Sequence, residues 1–135
     1  MPAPIRTQRV RKYRDLDLDF LVHPMTNDIV GRSDVDAING SVINIIKTQK
    51  GERVFQSEFG STIYHSLFEP MITETRVILT AAIEEAIRTY EPRVELQGVE
   101  VVAEPDRNGY TVTIVYIPVN SGSPVTLDFF LNRLR

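Results

Sequence analysis

The spacing of apolar residues changes period twice along the chain. Residues 15–22, "DLDLDFLV", alternate acid and apolar. That is the period of a half-buried strand, with Leu16, Leu18 and Phe20 on one face and Asp15, Asp17 and Asp19 on the other. "HPMTNDIVG" then reads as a turn and a short return strand. From Ser33 the spacing lengthens. Val35, Ile38, Val42, Ile45, Ile46 and Gln49 recur at helical intervals and predict a first long helix with one apolar face. Ser33 is the expected N-cap, Asp34 and Asp36 suit the positive end of the helix dipole, and Lys47 and Lys50 suit the negative end. Gly51 is the expected stop. Gly40 weakens the middle by about 1 kcal/mol relative to alanine, which a closely approaching backbone would explain.

The next segment is dense in Phe55, Phe59, Ile63, Tyr64, Leu67 and Phe68, and predicts a loop followed by a short helix over residues 61–68. A second long helix, capped by Thr73, lines Leu79, Ile83, Ala86, Ile87 and Tyr90 on one side. It must end before Pro92, which lacks the amide donor and pushes Glu91 towards extended geometry. Beyond Arg93 the period is two. "RVELQGVEVVAE" predicts a strand with a bulge at Gly98, and Asn108-Gly109 signals a hairpin. "YTVTIVYIPV" predicts a strand with Tyr110, Val112, Ile114 and Tyr116 on one face, its pairing fraying at Pro118. "VTLDFFLN" predicts a last strand with Leu127, Phe129 and Leu131 on one face and Phe130 on the other. The fold class is α+β: two main helices packed on one face of a small, mostly antiparallel sheet.

Charge divides the chain unevenly. Residues 1–14 carry Arg6, Arg9, Arg11, Lys12 and Arg14 and no acid, whereas the rest holds 10 bases against 18 acids. The expected organisation is a basic N-terminal arm, residues 1–14, on a single acidic domain, residues 15–135. Such an arm suits an acidic partner or the same body in a neighbouring subunit; a solvated tail is the alternative. An acidic body and the lack of interleaved aromatics argue against nucleic acid. With no cysteine, there is no disulfide framework and no thiolate metal site. No run of about 18 apolar residues predicts a membrane span.

Catalytic patterns are sparse. His23 and His65 are the two histidines, far apart in sequence and without a nucleophile motif. No phosphate-binding glycine loop and no zinc-protease motif occurs. Asp15, Asp17 and Asp19 read as an edge-protecting face rather than a metal site. Glu58 and Glu69 are the carboxylates that a glycosidase would need. No cofactor is expected.

Four ordered stretches resemble a known family: "IIKTQKGERVFQSEFG", "LFEPM" with its following helix, "AIRTYEPRV", and "NGYTVTIVYIPV". Together they make residues 33–119 similar to the small baseplate wedge subunit that initiates the sheath in contractile phage tails, with relatives in type VI secretion baseplates. The resemblance implies a structural protein rather than an enzyme. It implies one of six copies in a sixfold virion tail baseplate assembled in the host cytoplasm. The implied partners are the wedge core-bundle proteins, reached through Glu91, Pro92 and Arg93. Sheath subunits are the others, reached by strand exchange at Val125, Leu127, Phe129, Phe130 and Leu131 or at Leu16, Leu18 and Phe20. Tube or hub proteins are candidate partners for the basic arm. The rival functions are a peptidoglycan-cleaving, lysozyme-like enzyme using Glu58 or Glu69, and a regulatory adaptor that binds one protein on the same fold.

The Glu-Pro-Arg corner has its own physical reading. A glutamate at a helix C-terminus meets the negative end of the dipole at a cost of about 0.3–1 kcal/mol. Arg93 offsets that cost and can fork onto a carboxylate. Pro92 stiffens the backbone, so both charges are expected to project with little ordering entropy left to lose on docking. The alternative is a helix stop with a local surface ion pair.

Overall fold

The computed structural model describes residues 13–17 and 19–134. Two three-residue strands, β1 (Arg14–Leu16) and β2 (Gly31–Ser33), pair antiparallel into a small ribbon. Helix α1 (Val35–Lys47), the short helix α2 (Ile63–Ser66) and the long helix α3 (Thr73–Tyr90) follow. The chain closes with a three-stranded antiparallel meander, β3 (Val94–Glu104), β4 (Gly109–Pro118) and β5 (Val125–Asn132), in the order β3-β4-β5. The fold is the expected α+β arrangement, with α3 packed on β3 and both long helices contributing to one core.

Period two is cleanest in β4. Tyr110, Val112, Ile114 and Tyr116 all point inward and are buried, against Ile38, Val42 and Ile46 of α1 and Leu79, Ile83 and Ile87 of α3. The two helices reach this sheet face because their apolar residues recur at helical spacing; most of the expected residues are buried, whereas Val35, Gln49 and Tyr90 are half-buried and Ala37, Gly40 and Thr75 join the buried sets. Leu127 and Leu131 of β5 complete the core. The expected bulge is present: the β3–β4 register shifts between Leu96 and Gly98. Pairing of β4 with β5 stops at Tyr116 opposite Val125, while on the other side Pro118 still lies opposite Val94.

Several local expectations are corrected. The N-cap of α1 is Asp34, with φ of 52° and no side-chain capping bond. The same helix ends at Lys47, before Gln49 and Gly51, because Thr48 turns extended, while its hydroxyl and amide both donate to the Asn44 carbonyl. Ile72 precedes α3, so Thr73 is the first helical residue rather than the cap. Helix α2 spans only Ile63–Ser66 of the expected 61–68. Gly40 faces the side chain of Arg32 rather than another backbone. The Asn-Gly pair does not form a two-residue turn: Glu104 lies opposite Gly109, and Pro105–Arg107 form a 3-10 turn closed by left-handed Asn108. Gly109 belongs to the strand, where a Cβ would strike the Phe130 ring and the Leu131 carbonyl.

Candidate partner-binding site

Helix α3 ends at Tyr90, and the Glu91 amide still donates to the Ile87 carbonyl at 2.9 Å. Pro92 then prevents continuation. Arg93 folds back on Glu91 in a fork: Nε to Oε1 is 2.6 Å and Nη2 to Oε2 is 2.7 Å. The Glu91 residue is only 2% exposed. Burial pushes its carboxyl pKa up, but the fork from Arg93, a bond from Ser41 of α1 and the charge of Arg93 together hold it below its ordinary value. The ring of Tyr13 lies 5.2 Å from the Arg93 guanidinium carbon.

Glu91 therefore does not project from the corner. It turns inward against α1, and the corner's outward parts are the exposed Pro92 and the half-buried Arg93. Behind it, the buried Tyr116 hydroxyl donates to Asn39 Oδ1 at 2.6 Å. Burial, with Glu91 and Asp36 nearby, pushes the Tyr116 pKa up to about 12. Ser41, Asn39 and Tyr13 were not legible as parts of the corner. Nothing in sequence links α1 to residue 91, and Tyr13 fell within the expected arm. Residues 1–12 of that arm lie outside the described residues, whereas Arg14 opens β1.

The second candidate surface is the sheet edge. Strand β5 pairs with β4 on one side, and among the described residues its other side meets no backbone partner over residues 125–131. Leu127 and Leu131 face the core, Val125 and Phe129 are half-buried, and Phe130 lies on the opposite face. Phe130 owes part of its cover to its own chain, since the Arg107 guanidinium sits 4.1 Å from its ring centroid.

The acidic strand departs further from expectation. Strand β1 ends at Leu16, Phe20 has a φ of 49°, and beyond it an isolated bridge joins Val22 to Ile29. Leu16 and Phe20 are exposed, and Leu18 lies outside the described residues. Asp17 is the buried residue, ion-paired to Arg32 at 2.8 Å. Asp15 and Asp19 are exposed as well, so among the described residues neither face of the segment is buried and Asp17 alone, beside its charge partner, is covered.

Glu58 sits on the loop before α2 and Glu69 just after that helix, both exposed. The loop over residues 48–61 exposes Val54, and also Phe55, which the apolar density of this segment suggests would help cover the core.

A family model, "Baseplate wedge protein gp25", matches residues 32–120. The baseplate wedge protein gp25 of Enterobacteria phage T4 is 33% identical over 102 residues, covering 76% of this chain and 75% of that protein. Baseplate protein W of Escherichia phage P2 is 27% identical, covering 70% and 82%. The crystal structure of a candidate tail lysozyme from Geobacter sulfurreducens superposes with a TM-score of 0.68 at 26% identity, over 73% of this chain and 89% of that one. The Glu-Pro-Arg corner and strands β3 and β4 fall within the matched span, β5 lies beyond it, and the chain belongs to the gp25 family of baseplate wedge proteins.

Proposed function

We propose that this chain is a structural wedge component of a contractile-tail baseplate that docks on the wedge core bundle through its Glu-Pro-Arg corner. It then templates the sheath by lending the free edge of β5 to a strand of the first sheath ring. One observation carries the second step: an eight-residue strand with a paired inner side and, among the described residues, an unpaired outer side. Such an edge accepts a further strand by main-chain hydrogen bonds, while alternate side chains set its register. At the corner, the internal fork fixes Pro92 and Arg93 in place, so docking there orders little that is not already ordered. Family membership supports the location, a virion tail baseplate.

Deleting residues 125–135 is a poor test, because Leu127 and Leu131 are buried in the core. Hydrogen exchange avoids that problem. In the free subunit and in unsheathed baseplates, outward amides of residues 125–131 exchange rapidly; in sheathed particles they are protected. Equal exchange with and without the sheath would reject strand templating while leaving the baseplate role intact.

The likeness to a candidate tail lysozyme favours one rival, peptidoglycan cleavage by Glu58 or Glu69. A turbidity assay on cell walls, beside Glu58→Gln and Glu69→Gln, separates the two. Clearing by the wild type that either substitution abolishes would replace the structural reading.

A further inference from the structure

The loop over residues 48–61 is held far more firmly than its surface position requires. Its ends are joined by a bridge between Gln49 and Ser61, with the Ser61 amide donating to the Thr48 carbonyl at 2.9 Å. Ser61 Oγ also donates to the Ile46 carbonyl at 2.7 Å. Across the middle, the Gly51 amide donates to the Ser57 carbonyl at 2.7 Å. The far limb is pinned to α3: the Tyr90 hydroxyl donates to the Glu58 carbonyl, and the Phe59 and Tyr90 rings meet tilted at 55°, with centroids 4.9 Å apart. Arg53 lies across the other flank of Phe59 at 4.0 Å. On this braced loop, Val54 is 89% and Phe55 98% exposed.

Folding gains almost nothing from a phenylalanine in that position, and water disfavours it. A rigid loop that offers a bare aromatic has already met the ordering cost that binding would otherwise incur. Buried aromatic anchors also carry a disproportionate share of interface energy. The charges around the tip decide the kind of partner. Lys50 and Arg53 are balanced by Glu52 and Glu58, so the tip has no excess positive charge to attract nucleic acid or an anionic membrane. A neutral rim around an apolar knob is complementary to an apolar protein pocket. Because Tyr90 directly precedes Glu91, the brace and the Glu-Pro-Arg corner share the same end of α3.

We infer that Phe55, flanked by Val54, is an anchor that seats in an apolar pocket of another baseplate protein, beside the contact made by the corner. The inference rests on the baseplate reading. A photo-crosslinking phenylalanine analogue placed at position 55 in assembled baseplates is expected to join this chain to one other baseplate protein. Phe55→Ala should keep the wild-type melting temperature, since nothing packs on the ring. It should also lower incorporation into baseplates at least about tenfold, with Phe55→Leu partly restoring it. Normal incorporation of Phe55→Ala and Phe55→Asp would overturn the anchor, as would a crosslink only to a second copy of this chain. If the wild-type chain is missing from purified baseplates, the baseplate reading itself fails, and the two failures are told apart.

Discussion

Glu91 and Arg93, two residues apart, bind each other through both carboxylate oxygens, and the fork is turned into the protein rather than out of it. Ser41 of α1 bonds the same carboxylate, and β3 begins directly after Arg93. The corner is therefore a structural clasp first, and whatever docks on it meets Pro92 and one flank of Arg93.

Glu91→Gln should destabilise the fold by about 2 kcal/mol in urea unfolding. Removing one member of a buried pair costs about 3–5 kcal/mol, and Arg93 is still partly in contact with water, which lowers the figure. The carboxyl pKa is below its ordinary value of 4.5 in the folded state. Its contribution is thus complete above that ordinary value and is lost as pH falls through the lower folded one. The wild type should lose stability on the acid side more steeply than Glu91→Gln. Parallel acid limbs in the two melting curves would show that the clasp does not contribute in this way.

Tyr116 titrates in the opposite sense. Its pKa is raised from 10 to about 12 by burial and nearby carboxylates, so the folded state holds the neutral phenol while the unfolded chain ionises near the ordinary value. The contribution is complete below about pH 10 and is lost as pH rises through the folded value, about 3 kcal/mol at most. Ultraviolet titration of the native protein should show tyrosines that resist ionisation until the protein unfolds, Tyr116 and the equally buried Tyr110, whose pKa burial also raises, and Tyr116→Phe should diminish that late step without abolishing it. Phenylalanine there also leaves Asn39 Oδ1 without its donor, so the variant should be less stable at neutral pH by about 1 kcal/mol.

The most legible parts of the molecule were those in which burial alone decides orientation. Tyr110, Val112, Ile114 and Tyr116 alternate because one sheet face packs on helices, and Leu79, Ile83 and Ile87 recur because one helix face does. The illegible parts were those decided by a distant polar partner. "DLDLDF" alternates as a half-buried strand would, yet the strand stops at Leu16 and the residue that is covered is Asp17, paired with Arg32. The tripeptide at the end of α3 announced a rigid corner, but not that Glu91 turns inward to meet Ser41, which no local pattern connects to it. Asn108-Gly109 matched a hairpin signal, yet Gly109 is required by the approach of Phe130 and Leu131 rather than by the turn.

Gly60 makes a sharp test of the braced loop. Its φ is +116°, and a Cβ there would collide with the Thr48 carbonyl. Gly60→Ala meets both backbone strain and that collision, so a loss of about 2–3 kcal/mol is expected from thermal or urea unfolding. Gly51, with φ +90° and open space around it, should cost less, about 1 kcal/mol, since only the backbone conformation opposes alanine. Equal losses at the two positions would show that the collision at Thr48 is relieved without cost.

The ribbon of β1 and β2 carries Arg32 between two carboxylates. Asp17 is buried and Arg32 reaches it at 2.8 Å, while the exposed Asp19 lies at 3.7 Å. Arg32→Ala leaves Asp17 buried and unpaired, so the segment lowers its free energy by opening and hydrating the carboxylate. The opening is local, because β1 and β2 add little to the core around α1, α3 and the meander. Limited proteolysis should therefore cut Arg32→Ala within residues 16–30 at least several times faster than the wild type, with the main unfolding transition shifted by less than about 1 kcal/mol. Asp17→Asn should behave similarly but more mildly, since the amide leaves no buried charge behind. A shift of the main transition as large as that of Glu91→Gln would instead place the ribbon within the cooperative core.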